Sequence, residues 1–182
     1  MNKILILLSL CIMSCQAKSQ RALAAEDAVK EQHYTPKAEF PDEVVPVEKS
    51  YDEWEAELTR LEYSVLRNAG TERAFSGDLW NHKEDGIYSC RGCGLALFDS
   101  NTKYKSGTGW PSFWQPIKAE YVGEDTDYKL GYARTEVHCA RCEGHLGHVF
   151  NDGPRPTGLR YCMNSVSLDF VPRINDVTKV EE

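Results

Sequence analysis

Two Cys-x-x-Cys pairs, Cys90-x-x-Cys93 and Cys139-x-x-Cys142, constrain the fold of this chain more than any other feature. Each pair follows a strand-like run, and Gly92 and Gly94 accompany the first. A tight turn can aim both of its sulfurs at one point, so two such turns make a tetrahedral thiolate cage. Four thiolates suit Zn²⁺ and leave no open coordination position, which predicts one structural zinc per chain rather than a catalytic one. Disulfides are the alternative, because an exported protein meets an oxidising compartment. Two such pairs in one small domain, with no thioredoxin-like βαβ pattern around either, favour the metal.

The rest of the chain divides by texture. Its 182 residues suffice for one domain with its own core. The formal net charge of -7 argues against a sequence-independent grip on nucleic acid, which needs a basic surface. Lys3 followed by the apolar run from Ile4 to Met13 is too short to span a bilayer but suits a signal-peptide core. Ile12-Met13-Ser14-Cys15 resembles the lipobox of bacterial lipoproteins, in which the cysteine becomes the lipidated first residue. The expectation is therefore a signal peptide over 1–15 and an exported lipoprotein anchored to the membrane of the bacterial envelope through Cys15. Cleavage after Ala17, giving a soluble periplasmic protein, is the alternative. Residues 16–48, with Pro36, Pro41 and Pro46 and no sustained apolar period, read as a polar flexible tether. An arm wrapping the domain is the other reading. The domain proper is expected over 49–172, with a polar tail over 173–182.

Within the domain, Ser50-Tyr51-Asp52-Glu53 has the form of a capping box, so a helix is expected from Tyr51. Trp54, Leu58 and Leu61 then make one buried stripe, and Thr59-Arg60-Leu61-Glu62 starts a second short helix running to Gly70. Beyond Gly70, short apolar runs alternate with Gly, Pro, Asn and Asp, as strands and turns do. Candidate strands are Gly86–Ser89, Ala96–Phe98, Lys129–His138, His145–Phe150 and Arg160–Phe170, with Asn151-Asp152-Gly153-Pro154 as a turn. The fold class is mainly β, a small antiparallel domain fronted by helices.

Seven cysteines less Cys11, Cys15 and the four of the cage leave Cys162 as the one unassigned thiol. On a strand Arg160, Cys162 and Asn164 share a face. A guanidinium beside sulfur favours the thiolate, the reactive form. An inert, packed cysteine is the alternative. His145-Leu-Gly-His148 puts two rings three apart, on opposite faces of a regular strand, so both reach one site only if Gly147 bends the chain. Ser106–Trp114 is a Gly-rich loop carrying Trp110, Phe113 and Trp114. A surface histidine and an aromatic core plug are the blander account of these two segments.

Together VLRNAGTERAFSG, DGIYSCRGCGLALFDSNTKYKSGTGWPSFW, HCARCEGHLGHVFNDGP and RYCMNSVSLDF resemble the B-type peptide methionine sulfoxide reductases, in one order from about Tyr51 to Phe170. The resemblance implies two small antiparallel sheets with short N-terminal helices and zinc on Cys90, Cys93, Cys139 and Cys142. It implies an enzyme that reduces the R epimer of methionine sulfoxide in oxidised proteins, repairing oxidative damage. Cys162 would be the nucleophile, passing through a sulfenic acid. His145 and His148 would supply or orient the proton, Arg160 would favour the thiolate, and Asn164 would order the polar side. Trp110 and Phe150 would wall the methyl group. Many members carry a resolving cysteine before the tryptophan. Here Thr108 stands in its place, so a thioredoxin-like protein or other thiol is the expected reductant. The rival readings are a zinc-stabilised, non-catalytic binding module and a thiol peroxidase.

Overall fold

A computed structural model describes residues 16–17, 19–31 and 34–173. The signal-peptide and lipidation expectations, with Cys11 and Cys15, and the tail from 174 onward lie outside the described residues.

Two short helices follow the two capping boxes. In α2 (Tyr51–Glu57) the Ser50 amide donates to Glu53 Oε2 at 2.8 Å, and the Glu53 amide returns a bond to Ser50 Oγ. In α3 (Arg60–Asn68) Thr59 and Glu62 repeat the exchange, so each helix begins with two orphan amides satisfied. The helix breaks at Leu58 and Thr59, which cap its two halves, and this ends the apolar period read across both helices. Trp54, Leu58, Val65 and Leu66 are buried, whereas Leu61 is 51% exposed. The left-handed cap of α3 is Ala69 (φ 48°), one residue before the expected glycine. Residues 19–31 form a further helix, α1.

The strands make two antiparallel sheets. The smaller has order β2–β1–β8, from β1 (Gly86–Cys90), β2 (Ala96–Asp99) and β8 (Leu168–Pro172). The larger has order β3–β7–β6–β5–β4, from β3 (Ser112–Phe113), β4 (Val122–Asp127), β5 (Arg134–Cys139), β6 (His145–Phe150) and β7 (Arg160–Met163). The mainly β fold of two small sheets with helices before them is as expected. Two strands differ from the expectation. The run 160–170 is cut after Met163 by a single 3-10 turn, Ser165–Ser167, so its halves serve different sheets. The run 129–138 becomes a strand only at Arg134, because Tyr128–Gly131 forms the turn that leads in from β4.

Tyr88, Phe98, Phe113, Leu95, Leu97 and Met163 lie at the centre of the core, with the Phe98 and Phe113 rings stacked at 4.4 Å. Residues 34–48 run along this body. Glu39 bridges to Leu95, the Val47 amide donates to Arg141 O at 2.7 Å, and Pro41 O accepts from Tyr121 Oη at 2.6 Å. The backbone of this polar segment thus finds partners that its composition does not reveal.

Candidate active site and thiolate cage

The two knuckles are built alike. The Gly94 amide donates to Cys90 O at 2.7 Å and the Glu143 amide to Cys139 O at 2.9 Å. Cys90 N then donates to Leu95 O, and Cys139 N to Gly144 O, closing each turn. Both turns need a left-handed residue at the fifth position, filled by Gly94 (φ 75°) and by Glu143 (φ 57°). All four sulfurs are buried and lie within 4.8 Å of one another. Cys90 Sγ stands 3.7 Å from Cys142 Sγ, and Cys93 Sγ 3.5 Å from Cys139 Sγ. A tetrahedron with metal–sulfur bonds of about 2.3 Å has edges of about 3.8 Å, so the cage fits a four-coordinate ion. Contact with Cys139 and the other two thiols, together with burial, pushes the Cys90 thiol well up. Only a cation lets all four ionise together.

Cys162 sits mid-strand on β7. Its neighbours Tyr161 and Met163 are buried, whereas Arg160 and Cys162 are half-buried on the other face. Opposite Cys162 are Ser112 on β3 and His148 on β6. The face opens into a pocket of about 110 Å³ lined by Cys162, Trp110, His148, Phe150, Arg134 and Thr71, among others. Trp110 is tied down by its indole N–H, which donates to Glu72 O at 3.3 Å. The Arg160 guanidinium stacks 4.3 Å from the centre of the Phe150 ring and makes a bidentate pair with Asp152, at 2.7 and 2.8 Å. Asp152 first, and the Cys162 sulfur as well, hold Arg160 above its ordinary value. Asn164 lies at the back of the pocket with its amide already engaged. Its Oδ1 accepts from the Glu72 amide at 3.1 Å and its Nδ2 donates to Leu146 O at 3.0 Å.

The histidines meet as required, by a different device from the one expected. Val137 pairs with Gly147 but His138 pairs with His145, so Leu146 is an extra residue on β6. That bulge shifts the side-chain alternation by one and turns His145 onto the face of His148. Their ring centres are 5.5 Å apart. Gly147 serves close approach instead of bending: a Cβ there would fall 2.1 Å from Cys162 O. His148 Nε2 pairs with Asp127 Oδ2 at 2.8 Å, and His145 Nδ1 with Glu136 Oε1 at 2.5 Å. The Lys129 amide, His148 and Arg134 hold the Asp127 carboxyl well below its usual range. Burial pushes His145 below its ordinary value despite Glu136, and its Nε2 has no partner. Of the two rings, only His148 lines the pocket.

Comparison with known proteins adds a lineage to this geometry. The SelR domain matches residues 58–172. The peptide methionine sulfoxide reductase MsrB of Pseudomonas aeruginosa (strain UCBPP-PA14) is 58% identical over 127 residues, 70% of this chain and 96% of that protein. That of Leptospira interrogans is 56% identical over 124 residues, 68% of this chain and 95% of its own length. That of Methanosarcina barkeri is 58% identical over 126 residues, 68% and 87%. The chain belongs to the SelR family, that of the B-type peptide methionine sulfoxide reductases. Its SelR domain contains the cage, both histidines and Cys162. Sequence reasoning missed Asp127, Glu136, Arg134 and Glu72, which position the site residues. Asp127 and Arg134 sit at the two ends of the turn joining β4 to β5, and no sequence period marks that juxtaposition.

Proposed function

We propose that this chain reduces the R epimer of methionine sulfoxide in oxidised proteins to methionine, with Cys162 as the nucleophile. The observation that carries this reading is the half-buried Cys162 facing a small pocket, with His148 opposite it on β6 and Trp110 and Phe150 as aromatic walls. A sulfoxide has an electron-poor sulfur and a strongly accepting oxygen. The Cys162 thiolate attacks that sulfur while His148, opposite it on β6, delivers a proton to the oxygen. The hydroxyl then migrates from that sulfur to Cys162, so the sulfur–oxygen bond and the new sulfur–sulfur bond both break as an oxygen bond to the Cys162 sulfur forms. Oxygen and proton end on Cys162 as a sulfenic acid, and the thioether leaves as methionine. Trp110 and Phe150 receive the S-methyl group. Asp127 orients the His148 ring, and His145, held by Glu136, backs it. Arg160 favours the thiolate, although Asp152 shares its charge.

Regeneration falls to an external thiol. Thr108 contacts Cys162, and the described residues hold no cysteine besides this one and the four of the cage. One thiol condenses with the sulfenic acid, releasing water and forming a mixed disulfide. A second thiol, as a thioredoxin-like protein carries, frees Cys162. Cys90, Cys93, Cys139 and Cys142 would hold one zinc ion, whose chemistry there is to fix four thiolates and hold the fold.

The decisive test incubates the metal-loaded protein with dithiothreitol and a peptide carrying both sulfoxide epimers, followed by chiral chromatography. The R epimer should disappear and the S epimer persist, with no turnover in Cys162→Ser. Equal consumption of both epimers, or turnover surviving that substitution, overturns the reading.

A further inference from the structure

The residue in the resolving cysteine's place is wired into a chain of hydroxyls. Ser112 Oγ donates to Ser106 Oγ at 2.7 Å, Ser106 Oγ lies 2.9 Å from Thr108 Oγ1, and Thr108 Oγ1 lies 3.7 Å from Cys162 Sγ. Counting donors gives the chain its direction. The Ser112 hydrogen has Trp110 O as a second acceptor at 3.3 Å and takes the shorter contact. The Ser106 oxygen, with two lone pairs, therefore receives the Ser112 hydroxyl and, at 3.4 Å, the Thr108 amide. Only its own hydrogen remains for the contact with Thr108. Thr108 Oγ1, accepting there, turns its hydrogen toward Cys162.

The framework holds this arrangement still. Ser112 is buried and lies opposite Cys162 in the β3–β7 ladder, while Gly107 (φ 79°) and Gly109 (φ 89°) give the loop left-handed turns on either side of Thr108. Hydrogen bonds aligned head to tail polarise one another, so the last donor is the strongest.

We infer that Ser112, Ser106 and Thr108 form a donor relay that ends on Cys162 and stabilises its thiolate, which makes Thr108 a further catalytic residue and Ser106 and Ser112 its positioning residues. The inference rests on Cys162 being the reacting thiol. Thr108 thus does a second job at the position, holding the ionised sulfur ready rather than resolving its oxidised form. The other charged or titratable groups around Cys162 are Arg160 with Asp152, Tyr104, His148 with Asp127, and Arg134. None of these belongs to the relay, so substitutions in the relay leave them in place.

The rate of Cys162 alkylation by iodoacetamide against pH, read on the Cys162 peptide by mass spectrometry in the full-length, metal-loaded protein, reports the thiolate directly. Thr108→Val should move the midpoint up by about half a unit to one unit, leaving about 3- to 10-fold less thiolate at pH 7. Thr108→Ser, which keeps the hydroxyl, should restore the wild-type profile, and Ser106→Ala should shift it in the same direction by less. Superimposable profiles for wild type, Thr108→Val and Ser106→Ala overturn the relay. Should Thr108→Val lose its metal or its fold, Ser106→Ala alone decides, an unmoved midpoint refuting the relay. Sulfoxide reduction is assayed separately. A shifted profile in a protein that reduces no sulfoxide would sink the reductase reading and leave the relay standing.

Discussion

Gly147 brings β6 and β7 together beside Cys162, and a single methyl group there tests how tightly the site is set. A Cβ at this position would stand 2.1 Å from Cys162 O and 2.9 Å from Met163 Cα, both backbone atoms that cannot swing aside. Gly147→Ala must therefore push the strands apart, at a cost of about 1–3 kcal/mol. The same displacement separates His148 from Cys162, which face each other across this ladder. Misplacing reacting groups by a fraction of an ångström to one ångström reduces turnover by roughly 10- to 100-fold. Denaturant unfolding and sulfoxide turnover measured on one preparation should show both losses. A variant with wild-type turnover would mean the distance across β6–β7 does not matter.

At the scale of elements, the N-terminal arm is clamped by charge. Arg91, inside the first knuckle, stacks 3.2 Å from the centre of the Tyr34 ring and pairs with Glu62, while Tyr34 Oη donates to Asp169 Oδ2 at 2.5 Å. Burial raises the Asp169 carboxyl from 3.8 to about 6. A folded-state value above the unfolded one contributes stability that is complete below about pH 4 and is lost as pH rises through about 6. Asp127 and Asp152, both lowered, act in the opposite sense, losing their contribution as pH falls. The readout is therefore a difference. Asp169→Asn should gain on wild type in unfolding midpoint between pH 4.5 and pH 7, and a pH-independent difference would refute the raised value. Some elements were plain in the sequence because their signals are local: both capping boxes, the matched knuckles, and β6 with its two histidines. Others were not. β3 has two residues, too few for any period, and the exposed acidic stretch of β4 resembles a loop. The cut in 160–170 and the bulge at Leu146 arise because one chain must serve two sheets and because strands must fit their partners. Those are tertiary demands, as are the anchoring of Asn164 and the carboxylates behind the histidines.

Across the whole molecule, the cage sits where the two sheets meet, at one end of the core they share. Cys90 ends β1 in the smaller sheet, while Cys139 ends β5 in the larger one and Cys142 lies in the turn that follows. The helices rest on the same joint: Arg67 donates to Cys142 O at 2.7 Å, and the Trp54 ring covers Gly92. A metal ion held there would brace the joint between the sheets, and with it the place of β7, which the chain enters from one sheet and leaves for the other. Removing the ion leaves four buried thiols face to face with nothing to balance their ionisation. Chelation should then lower the melting temperature by roughly 10–20 °C, the shift that a loss of a few kcal/mol produces in a domain of this size. Cys90→Ser and Cys139→Ser break the same joint from opposite sides, so their effects should match and the double variant should add little to either. Calorimetry with metal analysis on the same samples measures this. If the chelated protein melts where the loaded one does, with Cys162 equally reactive, the two sheets hold their relation without the ion, and the knuckles have another purpose.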